Sequence, residues 1–368
     1  MRAYTLSAFL LPVLLSVGVR ADSDRSTEAE EAAITDPTLE CEPYGIDLVS
    51  DNLQYFPDIW EYAQNILPGD TEGLAAFSKI NASIPNIAPR GTLDGSDLDE
   101  VQDSYDESDP YCWWTYSNCV SPKLKGLSPD IATVPEPRTL GYAFDDGPYC
   151  GHNVFYDFLT EMKQKATFFY IGSNVLDWPL EAQRATVDGH QVCVHTWSHQ
   201  YMTSMSNEGA FAELWYAMKA IKLVTGITPT CWRPPYGDVD DRIRWIAKEG
   251  LNLDLVIWKY DSNDWEEGTD GYTAADVQKN YNKLIQRAQN GTFNKAGTIM
   301  LTHELTNFTM QCAMDNHAKL EQVFDHLVPI ATAMNVTNPC QEAGACPMPT
   351  FEEYTSKTGK ETQADRYC

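Results

Sequence analysis

Residues 139–165 read TLGYAFDDGPYCGHNVFYDFLTEMKQK, and this stretch carries the unit from which the fold can be read. TLGYAF is short, apolar and aromatic, as a buried strand is. Two aspartates and a Gly-Pro turn follow, and VFYDFLTEMKQK then spaces its apolar residues by three and four, as a helix does. The unit returns along the chain: ATFFYIG with PLEAQRATVDG, QVCVH with GAFAELWYAMKAIKLVTG, TCWRPP with DRIRWIAKEG, LDLVIWK with AADVQKNYNKLIQRAQN, and TIMLTH with HAKLEQVFDHLVPIATAM. Such a succession implies an α/β fold on a parallel sheet, open or closed into a barrel. In either form the functional groups gather beyond the C-terminal ends of the strands.

Polar clusters stand at those ends: DDGP after TLGYAF, HTWSH after QVCV, RPPYGD after TCW, DSNDW after LDLVIWKY and THE after TIML. Scattered surface residues would not keep to that rule, so the clusters read as one site. His195 and His199 lie four apart, close enough to share one metal, and imidazole with carboxylate suits zinc. Asp145 and Asp146 are adjacent like charges that repel unless something neutralises one of them. One can hold the cation while its neighbour, pointing to the other side of the strand, serves as a base. A metal that acidifies water beside a carboxylate base is the equipment of a hydrolase. Arg233 could pair with the base and fix its aim, and His303 could protonate a leaving group. Asp264 could stabilise the imidazolium of His303 and raise its pKa. Tyr236, Trp265 and Leu301 would line the pocket as apolar walls. An iron oxygenase shares the two-histidine, one-carboxylate set but gives the second aspartate, the arginine and the acid histidine no role. A polysaccharide-binding protein that keeps the site for recognition alone is the rival of a different class.

FDDGP, HTWSH, RPPYG, DSNDW and LTH, in this order, resemble the five motifs of the polysaccharide deacetylases with the NodB-homology domain, carbohydrate esterase family four. Within that family the chain looks most like the fungal chitin deacetylases. The resemblance implies a distorted (β/α) barrel with an irregular N-terminal extension. It implies Asp145 as general base, Asp146, His195 and His199 as ligands of Zn2+, with Co2+ possible, and Arg233 as the tether of the base. It also implies the backbone N–H of Tyr236 as a donor to the oxyanion, and Asp264 as the group that tunes the general acid His303. The implied reaction is hydrolysis of the N-acetyl amide of N-acetylglucosamine units in chitin, giving chitosan and acetate. The motifs do not separate chitin from acetylated xylan or peptidoglycan, because acyl specificity lies in the loops between them. The family usually has threonine before FDDGP, whereas this chain has Ala143.

The flanks complete the expectation. Residues 1–21 have a basic start, a short apolar run and small residues before acidic sequence, as a secretory signal peptide does. No other segment is long and apolar enough for a membrane span. Residues 22–135 read as an acidic, loop-rich extension that opens with the polar tract DSDRSTEAEEAA, expected to lack structure, and carries the aromatic cluster CWWTYSNC at 112–119. Residues 136–335 form the deacetylase domain and 336–368 a cysteine-containing tail. Ten cysteines and acceptor triplets at Asn81, Asn290, Asn307 and Asn335 fit export from a eukaryotic cell, to the medium or the cell wall. Cys112 with Cys119 and Cys340 with Cys346 are the close-spaced candidates for disulfides, while Cys193 and Cys231 read equally well as buried thiols. The net charge is −27, or −29 once Arg2 and Arg20 leave with the signal. That charge argues against nucleic acid and anionic membrane as partners; it would attract a polycation such as chitosan, and it also serves simply to keep an exported protein soluble.

Overall fold

The computed structural model describes residues 25–357, so the expected signal peptide and the end of the tail lie outside the described residues. The strands are β1 (Thr139–Gly141), β2 (Ala143–Gly147), β3 (Thr167–Tyr170), β4 (Gln191–Val194), β5 (Cys231–Trp232), β6 (Asp254–Leu255), β7 (Tyr260–Asp261), β8 (Thr298–Leu301) and β9 (His326–Val328). They form two sheets, ordered β2-β3-β4-β5-β6 and β7-β8-β1-β9, and every pair is parallel. The sheets share two stretches of chain. β1 and β2 are one run broken at Tyr142, and residues 254–261 leave β5 as β6 and reach β8 as β7. Asp145 pairs with His303 just past the end of β8, its N–H donating to Thr302 O at 3.0 Å. The pairing path therefore returns to its start, which is the arrangement of a distorted (β/α) barrel.

β1 to β4 and β8 are buried along their whole length, as parallel strands covered on both faces must be. The helix Asn207–Thr225 explains the packing around them. Ser206 caps its start by accepting from Gly209 N–H, and Gly226 ends it in the left-handed conformation (φ 81°). Most of its circumference is apolar because it is covered on two sides. Gly172–Asp177 and Pro179–Val187 pack on one, and Asp47–Ser50 and Thr71–Ile80 of the N-terminal extension on the other. Val49, Phe56, Phe77 and Ile80 of the extension thereby join the same apolar core as the barrel strands.

Three expectations are corrected. The tract HAKLEQVFDHLVPIATAM is not one helix: the helix Asn307–Glu321 ends, β9 follows, and a short helix, Ile330–Ala333, completes it. Asp325 N–H donates to Arg138 O, drawing the chain into register beside β1, and Pro329 has no N–H with which to continue a helix. The described part of the acidic tract is ordered rather than structureless. Thr27 caps the helix Glu28–Glu31, Arg25 pairs with the buried Glu31 at 3.1 Å, and Cys41 is bonded to Cys150. Cys193 and Cys231 are not thiols but a disulfide between β4 and β5, alongside Cys112–Cys119 and Cys340–Cys346. Cys312 has no disulfide partner among the described residues. Asn81, Asn290, Asn307 and Asn335 all have exposed side chains. No helix among the described residues is long and apolar enough to cross a membrane.

Candidate metal and catalytic centre

The register of β2 on β3 shifts between Asp145 and Gly147, and Asp146 at the shift has a left-handed backbone (φ 75°). A bulge of this kind re-aims a side chain. It separates the two carboxylates more sharply than simple strand alternation would. Asp145, 2% exposed, accepts from Arg233 Nη1 at 2.6 Å. Asp146 turns the other way and places Oδ1 3.1 Å from Nε2 of both His195 and His199.

Those three atoms lie within 4.8 Å of one another. The His195 Nδ1–H donates to the Arg233 carbonyl at 2.8 Å, which leaves a lone pair on Nε2 facing the carboxylate. Asp146 Oδ1 is itself buried and has no hydrogen-bond partner. Electron-pair donors that converge without a proton between them repel, and a divalent cation among them removes the repulsion. Two imidazoles and a carboxylate are a donor set that zinc and cobalt accept, with positions left open for substrate and water. Carboxylate and imidazoles therefore fit a metal.

The ligand loops are held firmly. Glu213, fully buried on the helix Asn207–Thr225, accepts from Trp197 N–H at 3.0 Å and from Ser198 N–H at 2.9 Å, between the two histidines. Its other oxygen accepts from Ala63 N–H of the extension at 2.9 Å. Asp238, also fully buried, accepts from Trp113 Nε1 and Thr115 Oγ1, each at 2.8 Å, and from Thr203 N–H at 2.7 Å. This pins the turn carrying Tyr236 to the Cys112–Cys119 loop. Tyr236 has a left-handed backbone (φ 57°), as do Thr196 and His199, so non-glycine residues in an unfavoured conformation gather in these loops. Its ring stacks on Tyr201 with centroids 4.1 Å apart, and its hydroxyl lies 3.2 Å from His199 Nδ1.

On the other flank, His303 Nδ1 meets Asp264 Oδ1 at 2.6 Å, and His303 N–H donates to Asp264 Oδ2 at 3.1 Å. Burial pulls the imidazole pKa down, but Asp264, with smaller help from Asp146 and Asp145, overrides it and lifts the value to about 10. Nδ1 is thus committed and Nε2 is the atom left to act.

The structure brings Asp145, Asp146, His195, His199, Arg233, Asp264 and His303 to one end of the barrel. Tyr236 and Trp265 stand at its rim, 46% and 48% exposed, whereas Leu301 is only 5% exposed within β8. At Ala143, where the resemblance leads one to expect a threonine hydroxyl, Thr302 Oγ1 donates to the backbone carbonyl at 2.6 Å. Sequence reasoning missed Glu213, Asp238 and Glu304. Glu213 had a signal, a carboxylate set within the apolar stretch of its helix; the other two sat inside quoted clusters without being singled out.

The polysaccharide deacetylase family profile matches residues 133–252. The chain is 51% identical over 334 residues to chitin deacetylase 2 of Cryptococcus neoformans var. grubii, a match covering 89% of this chain and 72% of that one. It is 45% identical over 314 residues to a chitin deacetylase of Amylomyces rouxii, covering 84% of this chain and 74% of that one. Among solved structures, the chitin deacetylase of the fungal pathogen Colletotrichum lindemuthianum superposes with a TM-score of 0.50 at 20% identity. That match covers 55% of this chain and 90% of that one, and speaks for the fold alone.

Proposed function

Because the chain belongs to the polysaccharide deacetylase family, we propose that it is a secreted, zinc-dependent chitin deacetylase that hydrolyses N-acetyl groups of N-acetylglucosamine units. One observation carries the reading: the Asp146, His195 and His199 cluster is flanked on one side by the Asp145–Arg233 pair and on the other by the His303–Asp264 pair. Zinc held by these ligands would supply Lewis acidity, polarising an amide carbonyl and acidifying a water.

The roles of the side chains follow from their free atoms. Arg233 holds Asp145 Oδ1, while Oδ2 faces the ligand cluster 3.9 Å from His195 Nε2 and is the atom placed to take a proton from the attacking water. His303 Nε2 gives its proton to the departing nitrogen as the amide C–N bond breaks. Acetate and the sugar amine are the products, and protons balance between Asp145 and His303. The Tyr236 turn supplies a backbone donor for the oxyanion. Trp265 offers an exposed ring at the rim for a sugar face. The barrel and the Cys340–Cys346 tail act as one catalytic body with the extension, consistent with their shared core.

The test is acetate release from N-acetylglucosamine oligomers by the purified protein, before and after chelation and with zinc restored. Release that stops with chelator and returns with zinc supports the proposal. A metal-loaded protein that releases acetate from neither chitin oligomers nor acetylated xylan refutes it.

A further inference from the structure

Glu304, directly after His303, takes no part in the mechanism above, yet its surroundings are those of a built site. It is fully buried, and its partners include no lysine or arginine. Oε1 accepts from Tyr149 N–H at 3.1 Å and from His152 Nδ1 at 2.7 Å, and Oε2 accepts from the Tyr156 hydroxyl at 3.1 Å. Tyr170 backs Tyr156, with the two hydroxyl oxygens 2.6 Å apart. Burial pushes Glu304 up to about 8 and His152 well below its ordinary value, which disfavours an ion pair between them.

The position of this carboxylate matters more than its charge. Its backbone N–H donates to Asp145 O at 2.8 Å. Its Oε2 lies so close over Gly147 that a Cβ there would clash with it, so glycine is the residue that fits after Asp146. Tyr149 and His152 belong to the loop that leaves the bulge. A single residue thus touches the strand of the base, the backbone next to the ligand Asp146, and the segment that carries His303.

We propose that Glu304 is a positioning residue, which with His152 and Tyr156 sets the height of the Asp146 bulge against the His303 segment. The inference rests on the roles proposed above for Asp145, Asp146 and His303. Its test reads metal affinity as well as turnover, so the two readings can fail separately.

Four variants, Glu304→Gln, His152→Asn, His152→Phe and Tyr156→Phe, are compared by zinc affinity in competition with a chromogenic chelator, by kcat and KM on chitin oligomers, and by thermal unfolding. The amide in Glu304→Gln would present one acceptor oxygen to donors that now share two. Zinc affinity should fall, by up to about the 10–100-fold that loss of a direct partner of a metal ligand costs, and kcat by a similar factor with KM little changed, because the bulge that aims Asp146 loses its support. His152→Asn keeps a donor near the place of Nδ1 and should stay close to the parent, whereas His152→Phe should follow Glu304→Gln. Wild-type zinc affinity and kcat in Glu304→Gln, or equal impairment in the two His152 variants, would overturn the proposal. Should Glu304→Gln not fold, the contrast between the His152 variants decides alone. A parent protein without deacetylase activity would refute the function but leave the zinc ratios to judge Glu304.

Discussion

Replacing Asp264 with asparagine tests the acid side of the mechanism. The rise of His303 from 6.5 to about 10 corresponds to about 5 kcal/mol of net preference for the imidazolium, reached against the opposing effect of burial and with smaller help from Asp146 and Asp145. The bond at 2.6 Å to Asp264 is charge-assisted, and such bonds are worth about 1.5–3 kcal/mol, or roughly 1–2 pH units. An amide also offers one acceptor where His303 presents two donors, Nδ1–H and the backbone N–H. The alkaline limb of kcat/KM should therefore move down by about 1–2 pH units in Asp264→Asn, with activity largely regained at lower pH. A cation bound beside Asp146 would lower the limb in both proteins, so the comparison is made at equal zinc loading.

The linkage to stability has a definite sign. A group whose folded pKa is raised stabilises the protein fully below its unfolded value, here near 6.5, and loses that contribution as pH rises through about 10. Asp264→Asn should thus lose most stability below pH 6.5 and converge on the parent at high pH. Steady-state rates from pH 5 to 11 and denaturant titrations at the two extremes supply both readings. A limb that stays in place while the rate falls equally at every pH would refute the reasoning and leave Asp264 with an orienting role alone.

Asp145→Asn should lower kcat by about 10²–10⁴-fold, the usual worth of a general base, with affinity for chitin oligomers retained; unchanged turnover would exclude Asp145 as the base. Asp238→Asn places an amide among donors that need a carboxylate, and stability should fall by about 1–3 kcal/mol, with a loss of kcat/KM through the Tyr236 turn; a variant matching the parent in both would detach the extension from the site. Affinity for chitosan should weaken as salt is raised from low to high concentration, because the chain carries a net charge of −27; affinity independent of salt would make that charge incidental to product handling.

The regular part of the fold was legible because burial imposes a period. TFFY, QVCV and TIML are strands covered on both faces, and AADVQKNYNKLIQRAQ keeps one apolar stripe, so each advertises its geometry locally. The same logic misled where tertiary pairing overrode it. HLV in the final tract has helix-compatible neighbours and becomes β9 only because β1 offers an unpaired edge. The members of the candidate site could be picked out from the rule that strands end at the site. That Asp145 and Asp146 diverge followed from strand alternation; how sharply they diverge did not, since Asp146 is turned by a bulge and a positive φ that no residue type at 145–147 announces. Disulfide partners 38 and 109 residues apart likewise have no local signature.

The least legible residues share one physical character. Glu213, Asp238 and Glu304 are each fully buried, each is raised in pKa by burial, and each accepts several hydrogen bonds from the loops around the candidate centre without a lysine or arginine among those donors. An isolated acid in a sequence looks like solvated surface, and only its donors reveal otherwise. Such carboxylates saturate the N–H groups of irregular loops that no sheet or helix can satisfy, which is costly to leave undone in a buried place. Two of the three draw donors from the extension, Ala63 for Glu213 and Trp113 with Thr115 for Asp238. The extension therefore reaches the candidate centre through two buried carboxylates, Glu213, which holds the segment between His195 and His199, and Asp238, which holds the Tyr236 turn.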